Sequence, residues 1–339
     1  MDEDKSFLLL AFFIGGYSLS SSCLTIFNKM AMIVFPYAGF LTAFQFLTSA
    51  AIVKMLGVSG RIKVEPLEWR TVVAFLPAVL MYHMSIFTNT KVLEYANVDT
   101  FLVFRSSTPL LVSFLEVVVF RAGFPSARRF LSMVAIFCGA VSYCFFDTGY
   151  NLRSYAWASA YVVAMTIDMV LIKKVIHEVG LSTWGLVYYN NLIAFLFCPV
   201  VALINGDMHK AILEGEIVGL MDIRVLGPVI VSCVGGLSIS FFGFSCRKAF
   251  SATTFTVIGV VNKFLTVLIN LTIWDRHAST PGVISLLVCI TGAVFYQQSA
   301  KLESRRHRNT PVLTDKTPSK SNQTSNMMEG SASKPVVGL

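Results

Sequence analysis

The sequence predicts an all-α integral membrane protein in which ten transmembrane helices form two inverted five-helix repeats. Three observations lead to this fold: few charged residues, ten long apolar segments, and two motifs that recur about half a chain apart. Together they exclude a soluble globular domain, a disordered chain and a small disulfide scaffold.

The composition shows that much of the protein surface faces lipid. Of 339 residues, 55% are hydrophobic and 14% are charged, and the mean hydropathy is +0.68. A soluble protein carries about 25% charged residues because its surface faces water. The net charge of +8 does not indicate nucleic-acid binding, since Lys and Arg fall in small groups between apolar segments. All seven cysteines lie inside apolar segments, so we expect no disulfide framework, metal site or cofactor.

Ten segments are long enough to cross a bilayer, which takes about 20 predominantly apolar residues per helix. The first is too long for a signal peptide and is interpreted as a retained span. All four tryptophans lie at or beside a predicted helix end, where membrane proteins concentrate aromatic residues. The predicted spans are 7–30, 37–56, 71–92, 98–120, 130–146, 154–176, 183–204, 225–246, 253–274 and 281–299.

The distribution of positive charge predicts the orientation of these helices. With a cytosolic N-terminus, most Lys and Arg residues of the short connecting segments fall on the cytosolic side. Cytosolic loops carry such an excess, so both termini are predicted to be cytosolic. The polar segment 301–339 has too little apolar content to fold alone and is predicted to be a disordered cytosolic tail.

Two short motifs recur at nearly the same offset, 154 and 153 residues. A repeat of five spans is odd-numbered, so the second copy must enter the membrane in the opposite direction. This predicts a first repeat over 1–150 and a second over 151–300. Inverted repeats are typical of secondary transporters, which bind substrate near the membrane midplane between the repeats. The motif pairs are Thr100-Phe101-x-Val103 with Thr254-Phe255-x-Val257, and Gly139-Ala140-Val141-x-Tyr143 with Gly292-Ala293-Val294-x-Tyr296.

Charged residues inside predicted spans are costly and therefore mark candidate functional positions. Arg105 and Lys263 lie deep in the fourth and ninth spans, which are equivalent helices of the two repeats. Two cations facing one central cavity favour an anionic ligand. A phosphate-bearing solute fits best, because Arg binds phosphate oxygens in a fork and Lys contacts them as a point charge. Alternatively, the buried acids Asp168 and Glu116 neutralise the two cations.

Two polar motifs in the seventh and ninth predicted spans provide further candidate residues for binding an anionic ligand. Gly259, Asn262 and Lys263 share one helix face, where a glycine allows a ligand to approach the backbone. Asn190 and Asn191 both accept and donate hydrogen bonds, as guanine recognition requires, and Ser240 adds a small hydroxyl. The alternative for these groups is hydrogen bonding and close packing between helices.

The motifs resemble those of a known family. Tyr188-Tyr189-Asn190-Asn191 resembles the Phe-Tyr-Asn-Asn motif, and Gly259-Val260-Val261-Asn262-Lys263 the Gly-Ala-Leu-Asn-Lys motif, of GDP-sugar transporters in the drug/metabolite transporter superfamily. The resemblance covers roughly residues 7–300. It implies a multi-pass Golgi antiporter that brings GDP-mannose, GDP-fucose or GDP-galactose into the lumen in exchange for GMP by alternating access.

The resemblance also implies a role for individual residues. Val260 and Val261 replace the family's Ala and Leu, which leaves the choice of hexose open. Guanine binding is implied for Asn190, Asn191, Ser240 and Tyr189, ribose contact for Phe255, phosphate binding for Lys263 and Arg105, and sugar binding for Tyr17, Gly259, Val260 and Asn262.

Two other transport functions stay open at this point. One is an exchanger for UDP-sugars or phosphate metabolites, and the other is a proton-coupled metabolite transporter using Asp168 or Glu116. An enzyme is disfavoured because the spans carry no catalytic arrangement of Ser, His and acidic residues, and no metal-ligand cluster. The expected partners are GDP-sugar, GMP and membrane lipid but no nucleic acid, with a homodimer as one open assembly state.

Overall fold

The computed structural model describes residues 2–95, 98–121, 123–144, 152–205, 223–273, 284, 287–288, 291–296, 298–299 and 302. Within these ranges the regular secondary structure is helical and no strand occurs. Chain contacts define one compact unit over Met1–Ala300, and the segment Lys301–Leu339 forms a second. The helices are α1 (Asp2–Val34), α2 (Ala38–Val58), α3 (Trp69–Tyr95), α4 (Val98–Phe120), α5 (Ala127–Cys144), α6 (Leu152–Val179), α7 (Thr183–Asn205), α8 (Ile223–Ala249) and α9 (Ala252–Ile273).

The all-α class is confirmed over the described ranges, and these helices begin and end within a few residues of the first nine predicted spans. The tenth predicted span contains the helical residues 291–296. Apart from Leu302, the predicted tail lies outside the described residues. Five helices in the described part of the chain are long and apolar enough to cross a membrane: Leu8–Val34, Ala38–Val58, Trp69–Val92, Tyr155–Val179 and Arg224–Ala249.

The outer surface of the helices is apolar, as a lipid-facing surface requires. Leu19, Phe114 and Leu196 are each more than 60% exposed although they lie near the middle of their helices. Such exposure in water would be a large apolar patch, whereas in lipid it carries no penalty. The helices pack most extensively in the pairs α3 with α6 and α1 with α8, followed by α2 with α7.

A buried polar cluster ties three helices together. The Gln45 side-chain amide of α2 donates to Asn28 Oδ1 of α1 at 2.8 Å and to Ser232 Oγ of α8 at 2.6 Å. Ser232 Oγ also donates to Asn28 Oδ1 at 2.6 Å. Gly236 packs directly against Gln45, because a Cβ there would lie 3.1 Å from Gln45 Cβ. Polar contacts of this kind hold helices together in lipid, where burial of apolar surface contributes little.

The turn between α8 and α9 is held by two charged residues from other helices. Lys173 of α6 donates to the backbone carbonyls of Arg247, at 2.7 Å, and Phe250, at 2.6 Å. The Glu116 carboxylate of α4 accepts hydrogen bonds from the backbone N–H of Ala252, at 2.6 Å, and of Thr253, at 3.2 Å, and from the Thr253 hydroxyl. A cation at a helix C-terminus and an anion at an N-terminus both complement the helix dipole. Glu116 therefore has a structural role at the start of α9.

The segment between α2 and α3 docks on the start of α7 through Glu65. Its carboxylate accepts hydrogen bonds from the Ser182 N–H at 3.0 Å and the Ser182 hydroxyl at 2.9 Å. Gly185 makes this approach possible, since a Cβ there would lie 2.0 Å from Glu65 Oε2. Partial burial raises the pKa of the Glu65 carboxyl, whereas the Ser182 hydrogen bonds and the positive charge of Lys63 lower it. The lowering effects are larger, so the pKa of Glu65 lies below its usual value.

We expect Glu65→Gln to lower the Tm of the detergent-purified protein by roughly 2–4 °C at neutral pH, the loss of about one net hydrogen bond. Because the folded-state pKa is lowered, the stabilisation is present above the unfolded value of about 4.3 and is lost as the pH falls through the folded value. The Tm difference should thus be constant from pH 6 to 8 and shrink below about pH 4. Glu68→Gln, an exposed carboxyl of the same segment, is the control. A difference that persists at acidic pH would contradict the proposed role of the ionised carboxylate.

Candidate functional site

A cavity of about 270 Å³ lies in the unit Met1–Ala300. Helices of both predicted repeats contribute to its wall: α1 to α4 from the first, and α6 to α9 from the second. Seven of the residues predicted to form the site line it, namely Tyr17, Arg105, Asn190, Ser240, Phe255, Gly259 and Val260. These residues come from five helices that are distant in sequence, so the structure brings together most of the predicted site.

The α9 wall consists of one helix face. Phe255, Thr256, Gly259 and Val260 line the cavity at the i, i+4 spacing of neighbours on a helix surface. A Cβ built on Gly259 would lie 3.8 Å from Arg105 Nη2 and 4.0 Å from the Tyr17 hydroxyl. The backbone of Gly259 thus lies close to the Arg105 guanidinium group and the Tyr17 hydroxyl. A ligand bound beside them in the cavity would contact both the backbone and the guanidinium group.

The Arg105 guanidinium is held in place by a neutral phenol. Its Nη1 donates to the Tyr161 hydroxyl at 2.5 Å, and that hydroxyl donates to Met165 Sδ at 3.0 Å. Of the two buried acids considered above, Glu116 is engaged at the start of α9 and Asp168 forms no ion pair with Arg105. Neither acid therefore neutralises this arginine, and its side chain is oriented toward the cavity.

The predicted guanine-binding residues occupy two layers. Asn190 and Ser240 line the cavity, whereas Asn191 is 1% exposed and lies behind this wall. The Asn191 amide donates to the Val187 carbonyl at 2.8 Å, and its Oδ1 accepts from Ser240 Oγ at 3.5 Å. Asn191 is thus positioned to orient Ser240 rather than to line the cavity itself.

Tyr189 and Asn262, like Asn191, are not among the described residues that line the cavity. The Tyr189 hydroxyl donates to the Pro66 carbonyl and accepts from the Glu68 N–H at 2.7 Å, so it supports the segment between α2 and α3. Asn262 accepts from the Ser18 hydroxyl at 2.7 Å and joins α9 to α1. Lys263 lies in α9, but its side chain is outside the described part of the structure.

The cavity wall contains a second arginine that is not among the residues predicted from the sequence. Arg247 lines the cavity near the end of α8. Its guanidinium carbon lies 4.8 Å from the ring centre of Phe255 and 5.4 Å from that of Phe244. These distances are typical of cation–π contacts. The available signal was helical spacing, since Ser240, Gly243, Phe244 and Arg247 follow one face of α8.

The cavity combines a positive wall with an aromatic one. The rings of Tyr17 and Phe255 lie 5.1 Å apart between centroids, and Gly243 leaves room for the Tyr17 ring. Together with two guanidinium groups and one carboxyl, Asp168, this arrangement favours an anionic ligand that also carries a flat or ring-shaped polar part.

Comparison with known proteins identifies close relatives. The chain is 48% identical over 290 residues to GDP-fucose transporter 1 of Arabidopsis thaliana, covering 85% of each chain. It is also 48% identical over 287 residues to GDP-mannose transporter GONST3 of the same organism, covering 84% of this chain and 77% of the relative. No protein-family model matches. A crystal structure that is 16% identical superposes with a TM-score of 0.63 over 88% of this chain and 98% of its own, which shows similarity of fold alone.

Proposed function

Because this chain belongs to the GDP-sugar transporters, we propose that it imports a GDP-sugar into the Golgi lumen in exchange for GMP by alternating access. The observation that carries the proposal is the cavity in which the Gly259 backbone faces Arg105, with Asn190 and Ser240 in the same wall. The substrate is GDP-mannose, GDP-fucose or GDP-galactose. The protein is a multi-pass membrane protein with both termini in the cytosol.

Nucleotide binding is assigned to the positive and amide walls of the cavity. Asn190 and Ser240 bind guanine, and Asn191 orients Ser240 from behind. Phe255 lies against the ribose. Arg105 binds the phosphates, joined by Lys263 on the basis of the α9 motif and by Arg247. Tyr189 supports this wall indirectly, since its hydroxyl fixes the segment before α3.

The sugar is assigned to the space between α1 and α9. Tyr17, Gly259 and Val260 line this part of the cavity, and Asn262 fixes α1 against α9 through Ser18. The valine at 260 occupies more of this space than the alanine of the family motif would. Val260 therefore narrows the sugar side of the cavity.

The helix packing supports two repeats related by a two-fold axis, and the odd number of predicted spans in each repeat makes them inverted. Such an axis exchanges the first helix of one repeat with the first of the other, α1 with α6, and the third with the third, α3 with α8. It therefore converts the pair α3 and α6 into the pair α8 and α1, and these two pairs have the most extensive contacts among the described helices. The pair α2 and α7 is converted into itself. Alternating access then arises from rocking of one repeat against the other around the central cavity.

Obligatory exchange follows from the charge of the site. The described cavity wall contains two guanidinium groups and one carboxyl, so it has an excess of positive charge. Reorienting this wall in a low dielectric is easier when an anion is bound, and the nucleotide supplies that negative charge. The carrier therefore crosses readily when loaded with GDP-sugar in one direction or GMP in the other, and slowly when empty.

Counterflow into proteoliposomes tests this function. We expect uptake of labelled GDP-mannose or GDP-fucose to require GMP inside the vesicles. Internal UMP is the matched control, because it carries the same phosphate on a different base. Fast uptake into empty vesicles would refute exchange. Stimulation by UMP equal to that by GMP would refute guanine recognition and favour the UDP-sugar alternative.

Asn191→Ala is expected to weaken discrimination between guanine and uracil nucleotides by about tenfold, since a buried amide that orders the Ser240 hydroxyl is lost. The measurement is the ratio of the inhibition constants of GMP and UMP in exchange assays. Ser238→Ala, an exposed serine of α8 that bonds to its own helix, is the control and should leave the ratio unchanged. An unaltered ratio in Asn191→Ala would remove this residue from the guanine site.

A further inference from the structure

One wall of the cavity has a polar character that the proposed nucleotide contacts do not use. Ser85 and Asn89 of α3, Thr108 of α4 and Asp168 of α6 all line the cavity. Ser85, Thr108 and Asp168 are each no more than 6% exposed. We refer to these four residues as the polar wall.

Three of the four side chains have a buried oxygen for which the described residues supply no hydrogen bond, and the fourth is the Asp168 carboxylate. Among the residues that the structure describes, Ser85 Oγ, Asn89 Oδ1 and Thr108 Oγ1 are buried without a hydrogen bond. Asp168 forms neither a hydrogen bond nor an ion pair within this part of the chain. Thr88 of the same helix α3 behaves differently, because its hydroxyl donates to the Met84 carbonyl at 2.7 Å.

Buried polar groups without a hydrogen-bond partner destabilise the folded protein. A buried hydroxyl or amide without a hydrogen bond costs free energy, and a buried carboxylate costs more. Several buried hydroxyls of the helices avoid the cost by bonding to their own backbone, as those of Thr88, Thr166 and Ser245 do. Three unsatisfied oxygens and one carboxylate on the same cavity wall, contributed by three helices, therefore indicate that a bound ligand supplies their partners.

The chemistry of the wall indicates which part of the ligand binds there. A carboxylate repels phosphate, so the polar wall is unsuited to the diphosphate. It accepts hydrogen bonds through two oxygens, and the serine and threonine hydroxyls both donate and accept. Vicinal hydroxyl groups, which donate and accept in the same way, are the complementary ligand, and the hexose is the part of a GDP-sugar that has them.

We propose that Ser85, Asn89, Thr108 and Asp168 form a subsite that binds the hydroxyl groups of the hexose and determines which GDP-sugar is accepted. This inference rests on the proposed function and adds a second side to the sugar site formed by Tyr17, Gly259 and Val260. GMP lacks the hexose, so its binding does not depend on the polar wall.

The test compares equilibrium binding of GMP, GDP-mannose and GDP-fucose to the purified full-length protein. Asp168→Asn is expected to raise the Kd of a GDP-sugar about 10- to 100-fold and to change the preference between the two GDP-sugars, with the Kd of GMP unchanged. Thr108→Val and Ser85→Ala should each raise the Kd of a GDP-sugar about 2- to 10-fold. Thr88→Val, a buried neighbour whose hydroxyl bonds to its own helix, is the matched control.

The possible outcomes separate the subsite from the proposed function. An equal increase in the Kd of GMP and of the GDP-sugars would overturn the subsite. The polar wall would then bind guanine or serve only the folding of the protein. An unchanged Kd for every ligand would also overturn the subsite, and would indicate that ordered water binds to the polar wall instead. Failure of the unmodified protein to bind either GMP or GDP-sugars would instead refute the proposed function, and the subsite with it.

Discussion

Arg105→Ala is expected to weaken binding of GMP and of every GDP-sugar by about 10- to 100-fold, and to reduce exchange accordingly. A hydrogen bond to a charged group contributes roughly 1.5–3 kcal/mol, and Arg105 lines the cavity where the phosphates are expected. Lys263→Ala should nearly abolish transport for the same reason. The measurement is GMP-driven exchange together with the Kd of GMP.

The choice of controls separates charge from geometry. Arg61→Ala removes an exposed arginine from the segment between α2 and α3 and should have no effect on exchange. Arg105→Lys keeps the positive charge but cannot bind two phosphate oxygens at once as a guanidinium group does. We therefore expect exchange and GMP binding intermediate between those of the unmodified protein and of Arg105→Ala. Normal exchange by correctly inserted Arg105→Ala protein would refute the assignment of Arg105 to phosphate binding.

Gly259→Val is expected to abolish transport. A Cβ at this position would lie 3.8 Å from Arg105 and 4.0 Å from Tyr17, which is ordinary van der Waals contact, so the fold accommodates Gly259→Ala without a loss of Tm. The additional methyl groups of valine extend further toward these two side chains. The branched methyl groups of valine would occupy the space in which a ligand contacts the backbone. Gly259→Ala should cause a smaller loss, because a single methyl group fills less of that space.

Gly15→Val is the matched control, since a Cβ at Gly15 of α1 would have no heavy atom within 4 Å. It should transport normally. Exchange and thermal stability are measured on the same purified samples, so that a folding defect is recognised by its Tm. Retention of full exchange by Gly259→Val would show that the substrate does not approach this part of α9.

The helices could be predicted from the sequence because lipid imposes a simple length requirement. The fourth predicted span, 98–120, has the same limits as α4. Arg105 and Gly259 could be placed in one site because a cation inside an apolar helix marks a candidate functional position, and because Gly259 belongs to a motif that resembles a family motif. Arg247 could not, since a basic residue near a helix end has the same local pattern whether it faces a loop or a cavity.

The Tyr188–Asn191 motif shows a second limit of sequence analysis. Neighbouring residues on a helix differ in direction by about 100°. The motif therefore cannot present all of its side chains to one cavity. The structure directs Asn190 to the cavity, Asn191 to Ser240 and the Tyr189 hydroxyl to Pro66. The polar wall is likewise invisible in the sequence, because Ser85 and Thr88 have similar surroundings there and differ only in their partners.

The attachment of Glu116 to the start of α9 has a mechanical consequence. Glu116 belongs to the first predicted repeat and α9 to the second, so any motion that separates them breaks three hydrogen bonds to one carboxylate. Rocking that keeps these bonds pivots there and opens only the opposite end, so opening at the Glu116 end requires that the bonds break. The opposite ends of α4 and α9, Val98 and Ile273, then act as the tips of levers roughly 30 Å long. A rotation of about 10° would part them by roughly 5 Å, which makes that end of the bundle the one that opens widest.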